Sequence, residues 1–176
     1  FFPRNADSPK IWGDPSGVDG FVGNPPFAAK NAIVATGGRE YVPWLLATVP
    51  QAHGNADLCS YFFRCAGRNI GGHGTLGFLA TNTVSQGDTR TVGLSPLLAD
   101  GFRILDATTD ESWEGSAAVT VSWLVAGCGK PVASRKPRLN GAIVESIDSR
   151  LRAARERPNA EALASMASNF FMGTKV

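Results

Sequence analysis

The nine residues from Asp19 to Phe27, DGFVGNPPF, restrict this chain more than any other stretch. A short apolar run, Phe21 and Val22, gives way to a glycine and then to two consecutive prolines. Proline fixes φ and lacks an N–H, so it can neither extend a hydrogen-bonded ladder nor enter a helix interior. The pattern predicts a buried strand that stops abruptly in a rigid turn, and the turn presents the carboxamide of Asn24 and the ring of Phe27.

With two backbone donors removed, the carbonyl of Pro25 is left as an acceptor beside the side-chain oxygen of Asn24. Two converging acceptors suit an exocyclic amino group of adenine or cytosine, which has two hydrogens to donate. Holding both draws the nitrogen lone pair out of conjugation with the ring, toward a geometry able to attack a methyl group. Phe27 adds a flat apolar face for stacking, an interaction of about 1–3 kcal/mol. The tripeptide by itself also fits a proline-rich β-turn in which Asn24 is a local capping residue.

The context of the turn carries a family resemblance. Asn24-Pro25-Pro26-Phe27 after a strand resembles motif IV of the amino-group DNA methyltransferases, which use S-adenosylmethionine on a class I α/β fold. Asn55 to Arg90 (NADLCSYFFRCAGRNIGGHGTLGFLATNTVSQGDTR) resembles the next helix and strand of those enzymes, and Glu111 to Gly127 (ESWEGSAAVTVSWLVAG) is similar to their later hairpin. The pattern is most similar to large single-chain type II restriction-modification enzymes, in which nuclease, methyltransferase and target-recognition domains are fused. The resemblance implies an α/β fold, the C-terminal part of a class I Rossmann-like sheet with a late antiparallel hairpin. It also implies methyl transfer from S-adenosylmethionine to a flipped adenine in double-stranded DNA, in the cytoplasm. Asn24, Pro25, Pro26 and Phe27 are the implied catalytic residues.

Around them the resemblance implies a substrate cleft. Lys30 stands in a small-residue stretch, 28–38, expected to be a loop over the pocket, where it touches a phosphate or is simply solvated. Thr75 to Thr81 is a near-continuous apolar strand, as a parallel strand buried on both faces requires. If it runs parallel beside the first strand, its end brings Asn82, Gln86 and Arg90 to the edge that holds Asn24; the plainer role for Arg90 is an ion pair with Asp88 or Asp57. Trp113 walls the base or plugs the sheet edge, and Glu114 replaces the proline more usual in that loop.

Other segments read more simply. Tyr41 and Trp44 fall in a helix within 40–49, with Pro43 in its first turn, and are expected in the core. Asn55 is the expected N-cap of a helix over 56–69, which buries Leu58, Phe62, Cys65 and Ala66 and ends at Gly71-Gly72, while Asp57 serves the helix dipole. A helix over 91–101 and strands over 102–107 and 117–126 follow.

With 176 residues, 43% of them apolar, one sizeable core and an extension are the natural count. Residues 1–127 are expected as the substrate-side part of a methyltransferase domain, 128–137 as a linker rich in Gly, Lys, Pro and Ser, and 138–176 as the start of a helical target-recognition region. Charge divides similarly: residues 1–127 carry 8 Lys or Arg against 11 Asp or Glu, net −3, and residues 128–176 carry 9 against 4, net +5. The basic end is the expected phosphate-facing part. Cys59, Cys65 and Cys128 lack metal-ligand spacing and read as reduced thiols, with no metal expected. No apolar run reaches a membrane-spanning length, and no membrane partner is expected.

No glycine-rich strand-to-helix turn followed by an acidic residue occurs in the sequence, so the cofactor-binding half is expected upstream, in the parent chain. These 176 residues alone are therefore expected to have weak or no activity. Two other readings stand beside this one. The same NPP-aromatic site serves protein-glutamine or RNA methylation, and a non-catalytic DNA-contact fragment would use the basic end alone.

Overall fold

The computed structural model describes residues 18–113 and 120–159. Six strands, β1 (Val18–Gly23), β2 (Ile70–Thr81), β3 (Arg103–Ser112), β4 (Thr120–Gly127), β5 (Arg138–Leu139) and β6 (Ala142–Ile143), form one sheet in the order β1-β2-β4-β3-β5-β6. β1 runs parallel to β2, and β4 lies antiparallel between β2 and β3. β5 joins β3 in parallel and turns back into β6. This is the expected fold class: an α/β protein, part of a Rossmann-like sheet whose late strands form an antiparallel hairpin.

The sheet is held by α3 (Leu58–Asn69), which lays Cys59, Phe63 and Ala66 on Leu76 and Phe78 of β2. Phe63 meets Phe78 edge-on at 5.1 Å, the orientation favoured by the ring quadrupoles. Of two short helices, α4 (Gly87–Val92) and α5 (Leu94–Ala99), α5 adds Leu94 and Leu97 to the same core, while α4 buries Val92 in a second cluster. That second apolar cluster lies under α1 (Lys30–Gly37) and α2 (Tyr41–Thr48), where Ile33, Leu45 and Val49 pack with Leu58 and Tyr61 of α3.

Several expectations are corrected. Residues 30–37 are helical rather than a covering loop, because Ala, Ile and Val meet no breaker before Gly37-Gly38, and Gly38 closes the helix at φ 80°. The cap of α3 is Asp57, whose Oδ1 accepts from Cys59 N at 3.0 Å, and not Asn55. The buried face of α3 passes through Phe63, so Phe62 and Cys65 are only partly covered. Gly71-Gly72 belongs to β2, which starts directly after the helix. The single helix expected over 91–101 breaks at Gly93, where an added Cβ would lie 3.1 Å from the Ser60 side chain.

β1 is also not buried as expected. It is the outer strand of the sheet among the described residues, and Val22 is 95% exposed. Tyr41 and Trp44 stack on each other at 5.8 Å; Tyr41 packs half-buried against the second apolar cluster, as expected, whereas Trp44 is 37% exposed. Beyond the expected linker, which contains a one-turn helix, α6 (Lys130–Ala133), the chain returns to the same sheet. The helical start expected from 138 is a tight hairpin through Asn140-Gly141, and Ile147 and Leu151 enter the main core. The readings of residues 1–17, 114–119 and 160–176 lie outside the described residues.

Candidate functional site

The parallel pairing of β1 with β2 brings the two strand ends together. Gly23 is opposite Phe78, so Asn24 leaves the sheet beside the last residues of β2. β2 ends at Thr81 and passes into a short 3-10 helix, Asn82–Ser85. β3 ends at Ser112 on the same side, next to the start of β4, and Trp113 follows it, half exposed. Asn24–Phe27, Asn82, Gln86 and Trp113 therefore stand along one edge of the sheet, the edge at which ligands bind in open α/β folds.

Within the turn, Asn24 and Pro26 are exposed, Pro25 is buried, and Phe27 is 36% exposed. The turn is anchored at its exit. Ala28 N donates to Asp57 Oδ1 at 3.3 Å, and Leu58 N donates to the Ala28 carbonyl at 2.9 Å. Asp57 N in turn donates to Thr89 Oγ1 of α4 at 3.0 Å. The N-terminus of α3 thus fixes the backbone that follows Phe27, using one carboxylate both as a helix cap and as a clamp. From the sequence alone Asp57 reads as a dipole partner; the signal for its second role, the N–H of Ala28, is visible only once the elements are placed.

Lys30 is the first residue of α1, and its side chain lies outside the described residues. Asn82 is half-buried, with its carbonyl accepting from Ser85 Oγ. Gln86 is exposed and borders a cleft of about 480 Å³ between the start of α4 and the ends of β3 and β4. Asp110, on the far wall, takes φ 57° beside a bulge in β3. Such a bulge re-aims side chains at a sheet rim.

Arg90 lines that cleft but is buried. Its Nη1 donates to Ser149 Oγ at 2.9 Å, its Nη2 to Asn159 Oδ1, and Glu156 lies at 4.0 Å. Neither ion pair weighed from the sequence forms: Asp88 pairs with His53, and Asp57 caps α3. Burial lowers the Arg90 pKa and Arg150 adds to this, against the opposing pull of Glu156 and Asp148. Its described bonds tie the segment 148–159 to α4. That segment is further braced by Asp148, which accepts from Arg150 N and Arg152 N and from the Arg152 guanidinium.

Among the described residues, no group of three or more His, Cys, Asp or Glu side chains is placed to hold a metal ion. No helix there is long and apolar enough to cross a membrane. No glycine-rich strand-to-helix turn lies at the sheet edge among these residues, so none is assigned to holding S-adenosylmethionine.

No family model and no curated protein matches the sequence. Solved structures do. One, the Type IIL restriction-modification enzyme MmeI in complex with DNA, matches with a TM-score of 0.62 and 22% identity over 78% of this chain. The match covers 20% of that enzyme, so the present chain spans about a fifth of it. A protein described as a class I S-adenosylmethionine-dependent methyltransferase from Listeria monocytogenes covers 71% of this chain and 38% of its own, with a TM-score of 0.45 and 15% identity. A modification subunit described for a type I restriction enzyme of Vibrio vulnificus covers 72% and 25%, with a TM-score of 0.46 and 14% identity. At these scores the last two carry no argument, and the first establishes a shared fold.

Proposed function

We propose that this chain forms the substrate side of a DNA methyltransferase in a restriction-modification system, acting on the exocyclic amino group of a flipped adenine. The observation that carries the reading is the position of Asn24-Pro25-Pro26-Phe27. It is a stiff turn just beyond a parallel strand, with its carboxamide exposed and its exit clamped by Asp57 and Leu58. The likeness in fold to a restriction-modification enzyme solved on DNA supports the substrate class.

In this mechanism the target base leaves the duplex, at a cost of a few kcal/mol of stacking, and lies on Phe27 with Trp113 toward the opposite wall. Asn24 Oδ1 and the Pro25 carbonyl each accept one amino hydrogen, which aims the nitrogen lone pair outward. S-adenosylmethionine, when bound, supplies the methyl group. The chain's own contribution is orientation: two fixed acceptors and a stacking face hold the amino group in line. β1 is the outer strand among the described residues and Val22 on it is 95% exposed, which fits a cofactor-binding half packing there.

Asn24→Ala in the full-length protein tests this. Methyl transfer to duplex DNA is expected to fall at least a hundredfold, as for loss of one preorganised polar contact, while DNA affinity stays within twofold. Equal loss of both would assign Asn24 to folding, and label appearing on protein glutamine instead of DNA would move the reading to that substrate.

A further inference from the structure

We propose that a second groove, at the opposite end of β3 from Trp113, is a phosphate-binding site for the nucleic-acid backbone; this rests on the DNA reading above. The groove, about 750 Å³, is lined by Arg103, Arg135, Lys136 and Arg155, with Val144 among its apolar residues. Glu145 is the one carboxylate in its lining.

Among the described residues, the charges there are only partly compensated. Arg103 Nη1 donates to the Val132 and Ala133 carbonyls, at 3.1 and 2.6 Å, which aims the guanidinium without neutralising it. Arg135, Lys136 and Arg155 are exposed and enter no ion pair among the described residues. At the other cleft Arg90 and Arg152 face carboxylates, while Arg150 reaches Asn159. Four cations facing one carboxylate within a single groove repel one another, and a polyanion relieves that repulsion. Guanidinium groups in particular match phosphate oxygens in a fork geometry.

Distance favours a duplex over a small anion. Arg103 opens β3 and Trp113 follows its last residue; β3 bulges twice between them, so at the usual rise of its partner β4 the two sites stand roughly 27 Å apart. One turn of B-DNA, about 34 Å, is more than long enough to reach from one to the other. A single duplex with a base at the turn can therefore place a phosphate run on this groove.

The test uses the full-length protein and its triple variant Arg135→Gln/Lys136→Gln/Arg155→Gln, all three at exposed positions. Duplex affinity is measured from about 50 to 200 mM salt. The dependence of log K on log salt is expected to become shallower by roughly 2 to 3 in the triple variant, about 0.9 per lost phosphate contact, and to stay unchanged in Asn24→Ala. An unchanged slope in the triple variant, with the parent protein still binding DNA, overturns the groove and leaves the methyltransferase reading standing. Competition by inorganic phosphate or by polyglutamate as effective as that by unlabelled duplex also overturns it, in favour of a free anion or an acidic polypeptide. No duplex binding by the parent protein at any salt overturns both.

Discussion

Asn24 and Pro25 are adjacent in sequence and opposite in environment: the first is open to solvent, the second is buried. That division lets a polar group face a ligand from a turn in which two prolines fix φ. Cys59 is the reverse, a reactive group type made inert. Burial, first, and then the Asp57 carboxylate raise its pKa far above the usual thiol range. A thiol whose pKa is raised by folding keeps its proton in the native state, so stability falls as pH rises above the unfolded value of about 8.5. Alkylation at mildly alkaline pH is expected to modify the half-buried Cys65 and Cys128 first and Cys59 only on unfolding; early labelling of Cys59 would contradict this.

Among the elements, the α3 N-terminus governs the turn. Asp57→Ala is expected to cost about 1 kcal/mol as a lost helix cap, read as a lower urea midpoint, and to reduce methyl transfer by more than the unfolded fraction accounts for. Asp57→Asn, which keeps an acceptor oxygen, is expected to retain most of both. Gly129 is a second sensitive point: it sits at φ 81°, and an added Cβ would strike the Gly72 carbonyl of β2. Gly129→Ala is expected to destabilise by roughly 2–4 kcal/mol, and a neutral effect would show that the two strands' ends can separate. The strand and helix types were legible in the sequence wherever apolar spacing was strong, as in β2 and α3. The cap was misplaced because Asn55 and Asp57 are both good capping residues, and only packing of Ala28 and Thr89 against the helix start selects between them. Phe62 and Phe63 posed the same ambiguity, one residue apart. The Asn140-Gly141 hairpin carried a strong local signal that offsets near four in Ile143, Ile147 and Leu151 obscured.

At the scale of the molecule, the sheet order decides what the site contains. That NPPF and the end of β2 share an edge followed from reading both as parallel strands, and the pairing of β1 with β2 meets that condition. What the sequence did not disclose is how 138–159 folds back, because that depends on Arg90 meeting Ser149, Glu156 and Asn159, contacts 59 or more residues apart. Arg90→Ala is expected to cost about 2–3 kcal/mol and to expose 148–159 to proteolysis before the rest of the chain; cleavage unchanged from the parent would free Arg90 for a role in the cleft. The central claim is that the turn grips an amino group, and a structure of the full-length protein on DNA measures it most directly. The amino nitrogen of an extruded adenine is expected at about 2.7–3.2 Å from both Asn24 Oδ1 and the Pro25 carbonyl, over the Phe27 ring. A target base lodged elsewhere, or an Asn24 carboxamide bonded only to protein, would contradict it.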